Sequence, residues 1–200
     1  EQCVLIFNLM VEDNILEGKK YKIIDNFVSA ENCQKIYEML THPYFPWYFS
    51  HSTLHMDDKT LDIRKDFYIG PQFGHSFVRD GESNSEYLKE ILFLSNLNRV
   101  GLPIFRLKAN NQLNNNETGT CHYPHLDNPT DGEKFINAVI YLHETDGDTV
   151  IFDDKIEKIK PLIGRAVFFD GLVWHGSNNP VKYKNRIILN INFNKINLIT

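Results

Sequence analysis

Apolar and polar positions change their rhythm near the middle of the chain. In the first hundred residues they fit mixed α/β structure. Residues 21–25 (Tyr-Lys-Ile-Ile-Asp) read as a short strand. Ser29 stands where a helix needs an N-cap. Cys33, Ile36, Tyr37 and Leu40 then share one face of a helix over residues 30–40. Residues 43–49 (Pro-Tyr-Phe-Pro-Trp-Tyr-Phe) are aromatic and interrupted by proline, which suits packing or the wall of a substrate site. Ser83 and Glu86 have capping-box spacing ahead of a second helix carrying Leu88, Ile91, Leu92 and Ser95.

The second half reads as strands: residues 105–112, 121–127, 135–143, 149–152, 164–169, 172–175 and 185–193. Turn residues separate them, among them Asn128-Pro129-Thr130-Asp131-Gly132, Asp146-Gly147-Asp148, Asp170-Gly171 and Asn178-Asn179-Pro180. Residues 110–119 run from a strand end into a polar loop. Helices first and a run of short strands after predict an α+β protein, with helices packed on one face of a β-sandwich.

Two hundred residues suffice for one domain with a real core. The expected division is a mixed support region over 1–102 and a β core over 103–193. Hydrophobic residues at 42% and charged residues at 24% are ordinary for a soluble globular protein. A net charge of -5 gives no electrostatic reason for nucleic acid or an anionic membrane to be the main partner. Cys3, Cys33 and Cys121 are odd in number and irregularly spaced, so they form neither a disulfide framework nor a zinc ribbon. Reduced thiols predict a reducing, cytoplasmic setting, the host's cytoplasm if the source is viral. The apolar run at residues 4–7 is too short for a membrane span and lacks the basic leader of a signal peptide. Frequent Asn, Lys and Ile suggest an AT-rich viral or bacterial genome.

His125-Leu126-Asp127 puts an imidazole and a carboxylate two residues apart, on the same face of a strand. The triplet alone decides nothing, since His55-Met56-Asp57 repeats it in Lys/Asp-rich sequence that reads as a surface loop. The two triplets differ in their downstream context. His175 closes the apolar run Leu172-Val173-Trp174, and Arg186 opens the last strand. On that strand Arg186, Ile188, Asn190 and Asn192 share one face, and Ile187, Leu189, Ile191 and Phe193 the other. The polar face is expected to line a cup. By the same parity Tyr123 points inward with His125 and Asp127, while His122 faces away. His143 reads as a solvated residue at a strand end.

The order His-x-Asp, then His, then Arg resembles that of the double-stranded β-helix oxygenases that use iron and 2-oxoglutarate, most closely the prolyl-4-hydroxylase-like branch. Residues 103–193 carry the resemblance, including Pro161 to Arg165 leading into Phe168-Phe169-Asp170-Gly171, and Gly147-Asp148-Thr149 before Phe152. Phe45-Pro46-Trp47-Tyr48 is similar to bacteriophage members. The resemblance implies a jelly-roll core with His125, Asp127 and His175 as Fe(II) ligands on one face of the metal. The opposite face stays open for 2-oxoglutarate and dioxygen. Arg186 would hold the far carboxylate of 2-oxoglutarate with its bidentate fork. Tyr123, Asn190 and Asn192 are further candidates to bind the co-substrate, with ascorbate as an accessory reductant. The implied activity is hydroxylation of a peptide, protein or small molecule, coupled to conversion of 2-oxoglutarate to succinate. Competing readings are a nucleic-acid demethylase of the same superfamily, or a β-sandwich binding module without catalysis. Two departures from that branch stand out. The cation is arginine where lysine is usual, and His122 occupies a position usually held by tyrosine.

Overall fold

The computed structural model describes residues 15–51, 70–114 and 121–195. His55-Met56-Asp57, Cys3 and residues 4–7 lie outside the described residues. Strand β1 (Tyr21–Ile24) leads into helix α1 (Ala30–Thr41), whose N-cap Ser29 accepts a hydrogen bond from the amide of Asn32 at 3.2 Å. Strands β2 (Tyr48–Ser50), β3 (Gln72–Arg79) and β4 (Glu82–Ser83) come next, then helix α2 (Leu88–Leu94). Strands β5 (Ile104–Leu113), β6 (Phe135–Tyr141), β7 (Thr149–Phe152), β8 (Ile156–Ile159), β9 (Ala166–Asp170), β10 (Trp174–Ser177) and β11 (Asn185–Asn194) complete the order.

Two antiparallel sheets face each other. The large one runs β1-β9-β6-β11-β5-β3-β2, with β4 hung on β3, and the small one runs β10-β7-β8. The parity of β11 sorts its residues as expected. Ile187, Leu189, Ile191 and Phe193 join Cys33, Ile36 and Leu40 of α1 and Ile91 and Leu94 of α2 in one buried cluster. Ile188 joins Val139, Tyr141, Ile151, Val167 and Phe169 in a second cluster between the sheets. β6 is apolar on both faces apart from Asn137, because the helices cover one side and the small sheet the other. This is the α+β double-stranded β-helix, with N-terminal helices on one face.

Several elements differ from the expected pattern, each for a local reason. β3 is long and central, yet its sequence Gln-Phe-Gly-His-Ser-Phe-Val-Arg hides the alternation. Its buried His75 is satisfied by the carbonyl of Pro46 and the hydroxyl of Ser85, each at 2.8 Å, so a polar residue fills an apolar slot. With β1, β2 and β3 paired into the large sheet, the first hundred residues supply part of the core itself. Ser83 lies in β4 and caps nothing. Helix α2 starts at Leu88 without a side-chain cap, and Ser85 accepts from the Tyr87 amide instead. β8 reads Ile-Glu-Lys-Ile and needs only Ile159 buried, because it is an edge strand. The aromatic run divides: Phe45 is buried and Trp47 donates its indole N–H to the carbonyl of Leu40, while Tyr44 and Tyr48 are exposed. His143 is half-buried rather than solvated. Its Nε2 accepts the Ile187 amide at 2.9 Å, and its ring packs on Tyr37. Among the described residues no helix is long and apolar enough to cross a membrane.

Gly164 ties α1's entry to β9. Its φ is +77°, and its amide donates to the carbonyl of Tyr141. A Cβ there would lie 2.1 Å from the carbonyl oxygen of Val28. Gly81 also has a positive φ, +80°, but nothing stands within 4 Å of a built Cβ. Gly164→Ala should therefore cost about 3 kcal/mol or more, and Gly81→Ala about 1 kcal/mol. Denaturant midpoints of the two variants measure the difference, and equal costs would remove the close-approach argument.

Candidate metal and co-substrate site

The segment holding His125 and Asp127 is not a regular strand. It touches the small sheet at two isolated bridges, Cys121 with Asn178 and His125 with His175. Five residues on one side, 121–125, thus face four on the other, 175–178, the one-residue excess of a β-bulge. Pro124 lies inside the bulge and has no amide to offer a ladder. The bulge shifts parity, which corrects the expectation for His122. That residue is buried, with Nε2 2.7 Å from Asn179 Oδ1. Tyr123 is half-buried, and its carbonyl lies 3.1 Å from His125 Nδ1. His175 is second in β10 rather than last in an apolar strand.

The backbones of His125 and His175 exchange both hydrogen bonds, at 2.9 and 3.1 Å, which brings their rings to 4.5 Å between centroids. Each ring is oriented in the same way. Nδ1 of His125 faces the carbonyl of Tyr123, and Nδ1 of His175 that of Val173, both at 3.1 Å. A carbonyl only accepts, so the proton belongs on Nδ1 and each Nε2 keeps its lone pair. Asp127 Oδ1 lies 3.8 Å from one Nε2 and 3.9 Å from the other. The three ligand atoms lie within 4.8 Å of one another. His175 Nε2 is buried and lacks a hydrogen-bond partner. A divalent cation at the common point would satisfy it, so the donor set fits a facial site for iron.

Asp127 is held from two sides. Asn192 Nδ2 donates to Oδ2 at 2.8 Å and also to Asn137 Oδ1 at 2.6 Å. Asn192, expected to contact the co-substrate, is thus engaged with a candidate metal ligand, whose carboxylate gains an outer support. Arg106 Nη2 lies 2.9 Å from Oδ1. Burial alone would raise the Asp127 carboxyl, but Arg106, the two imidazoles and the Asn192 amide hold it well below the usual carboxylate range. Arg106, Asn137 and Gln112 are not among the residues singled out from the sequence. The alternation Arg106-Leu107-Lys108-Ala109 was the available signal, since Leu107 and Ala109 pack on the helix side.

Arg186 is buried on the inner face. Nε donates to the Gly147 carbonyl at 2.8 Å, Nη1 to Gln112 Oε1 at 3.1 Å and Nη2 to Thr149 Oγ1 at 2.9 Å. The guanidinium lies over the Tyr141 ring, 5.6 Å from its centroid. Gly147 makes this approach possible: a Cβ there would come within 2.6 Å of Arg186 Cδ. Among the described residues no carboxylate lies within salt-bridge reach of Arg186. A buried cation cradled by neutral acceptors is costly unless an anion joins it, and a ligand carboxylate suits the fork. His122 lies within electrostatic reach of both Arg186 and His125. Asn190 sits between the two subsites on the same strand face, its Oδ1 buried and without a hydrogen-bond partner.

Burial pushes His122 down to about 4, and burial with the neighbouring His125 pushes His175 down to about 4. Both fall below the unfolded value near 6.5, so unfolding takes up protons between these pH values. Stability of the metal-free protein should be full above pH ~6.5 and fall by on the order of a few kcal/mol toward pH ~4. Chemical denaturation of chelated protein across this range checks it, and His122→Gln should flatten the slope. A pH-independent midpoint would contradict the buried neutral imidazoles.

Residues 111–194 match the 2OG-Fe(II) oxygenase superfamily. No curated protein sequence matches the chain. A solved prolyl hydroxylase from Trichoplax adhaerens, in complex with a hypoxia inducible factor peptide fragment, superposes with a TM-score of 0.67 at 16% identity, over 97% of this chain and 92% of that one. A prolyl-4-hydroxylase from Pseudomonas putida gives 0.62 at 17% identity, over 95% and 98%. The epimerase SnoN from nogalamycin biosynthesis, solved with Fe3+ and α-ketoglutarate, gives 0.58 at 11% identity, over 96% and 84%. Over residues 111–194 the chain is similar to the 2OG-Fe(II) oxygenase superfamily, and it shares the fold of the prolyl hydroxylases.

Proposed function

We propose that the protein is a hydroxylase of peptides or small molecules, with Fe(II) held by His125, Asp127 and His175 and 2-oxoglutarate by Arg186. The observation that carries this reading is the buried, unpartnered Nε2 of His175, aimed with His125 and Asp127 at one point. Fe(II) and 2-oxoglutarate, when bound, supply dioxygen activation coupled to decarboxylation, giving succinate, carbon dioxide and a hydroxylated product. The chain's own groups bind and orient. The carbonyls of Tyr123 and Val173 fix both imidazoles with Nε2 free. Asn192 pins Asp127 Oδ2, so Oδ1 faces the metal point. Arg186, gripped by Gly147, Gln112 and Thr149, presents a fixed cation to the distal carboxylate of the co-substrate. The enclosing apolar cluster of Val139, Ile151, Phe169 and Ile188 excludes water from the site's wall. Tyr123 and Asn190 are proposed as additional co-substrate contacts. The peptide seen with the Trichoplax enzyme supports a peptide as one substrate class here.

Asp127→Ala should abolish succinate formation and weaken Fe(II) binding roughly a hundredfold, because the charged ligand is lost. Asn192→Ala should weaken Fe(II) about tenfold through the freed carboxylate. Arg186→Ala should raise the KM for 2-oxoglutarate about a hundredfold while Fe(II) still binds, and Arg186→Lys should recover only part of it. Titration with Fe(II) under nitrogen and succinate release measure these separately. An Arg186→Ala enzyme with an unchanged KM would remove the co-substrate role.

A further inference from the structure

The inner face of β5 carries Arg106, Lys108, Asn110 and Gln112. In register across β11 they meet Asn192, Asn190, Ile188 and Arg186. The end rows are committed. Arg106 and Asn192 both hold Asp127, and Gln112 holds Arg186. The middle rows are not. Asn110 Oδ1 and Asn190 Oδ1 are buried without hydrogen-bond partners, and so is Arg106 Nε at the edge of the same patch. Lys108 runs toward β3, where Ser76 is its partner and Gly74 lies next along the strand. A Cβ built on Gly74 would stand 3.8 Å from both Lys108 Cε and Asn110 Oδ1, which places the two side chains beside each other on this face of the sheet.

Charge makes the patch specific. Lys108 is half-buried, and its electrostatic neighbours among the described residues are the cations Arg106 and Arg79 and the carboxylate Asp127. Once a metal takes Asp127, that carboxylate no longer balances the lysine. Fe(II) and Arg186 together match Asp127 and a doubly charged 2-oxoglutarate. Arg106 and Lys108 are then surplus positive charges beside the reacting centre. Asp148, which acts electrostatically on Arg186, also interacts with Lys158 and Lys160. In a protein of net charge -5, a cup floor whose Arg106 and Lys108 share Asp127 with a metal is locally positive.

We propose that Lys108 and Arg106 form an anion subsite on the floor of the cup, and that the substrate places a carboxylate there while an adjacent carbon faces the metal. The proposal rests on the metal and co-substrate assignment above. The carboxylate has two sources, a free amino acid or small organic acid, or an Asp or Glu side chain of a peptide. Unpaired Asn110 and Asn190 complete the subsite as polar contacts for the rest of the bound group.

The test uses the full chain loaded with Mn(II) and 2-oxoglutarate under nitrogen, titrated calorimetrically. One arm compares L-proline, L-aspartate and L-glutamate with their carboxamides. The other compares blocked Asp- and Glu-containing peptides with their Asn and Gln counterparts. The expected result is that acids bind at least roughly tenfold more tightly than amides in one arm, which identifies the source. Lys108→Glu should erase that preference, Lys108→Met should reduce it and Lys108→Arg should keep it, all with wild-type melting curves. Equal binding of acids and amides, or no acid binding to protein that does take up Mn(II) and 2-oxoglutarate, overturns the subsite alone. Failure to take up Mn(II) or 2-oxoglutarate overturns the site assignment and the subsite with it.

Discussion

A pair of backbone hydrogen bonds, exchanged between His125 and His175, fixes the rest of the site. It joins an irregular segment to the small sheet at the one register that faces both rings toward Asp127. A slip of one residue would turn His175 to the outer face of β10, where Trp174 now stands half-exposed. The bulge around Pro124 lets the segment meet β10 twice although the two sides differ in length. Carbonyls two residues upstream then set the orientation of each ring, without any further side chain.

The large sheet supports this by dividing its faces. One face is apolar and packs on α1 and α2, which contributes the burial that stabilises the fold. That leaves the other face free to hold groups that are costly to bury, Arg186, Asn192 and Gln112, and to support Asp127 beside it. Most of these costs are offset locally, through Gly147, Thr149, Asn137 and Arg106. Three atoms without a hydrogen-bond partner, His175 Nε2, Asn190 Oδ1 and Asn110 Oδ1, lie on the inner face, where the metal, co-substrate and substrate are proposed to bind.

Much of this was legible in the chain. Strict alternation in residues 185–193 gave both the helix-facing and cup-facing sides of β11, because a strand with one buried apolar face cannot hide its period. Ser29 marked the start of α1 because a helix end needs a local acceptor. Less was legible where tertiary partners replace the pattern. The sequence does not show β3 because His75 finds its hydrogen-bond partners in Pro46 and Ser85, far away in sequence or across a turn. The expected cap at Ser83 failed because pairing with Val78 claims that residue for β4.

The sequence by itself determined the identities and order of His125, Asp127, His175 and Arg186, the strand that carries Arg186, and the α+β class. These depend on residue chemistry and local period, which a chain carries at every position. The tertiary structure alone decided that His122 turns inward and that Asn192 supports Asp127. It also decided that Arg106 reaches Asp127 Oδ1 and that Lys108, with no ion pair of its own among the described residues, stands on the same floor. Each of these depends on a bulge or on register between strands distant in sequence, and register is set by the packing of the whole sheet.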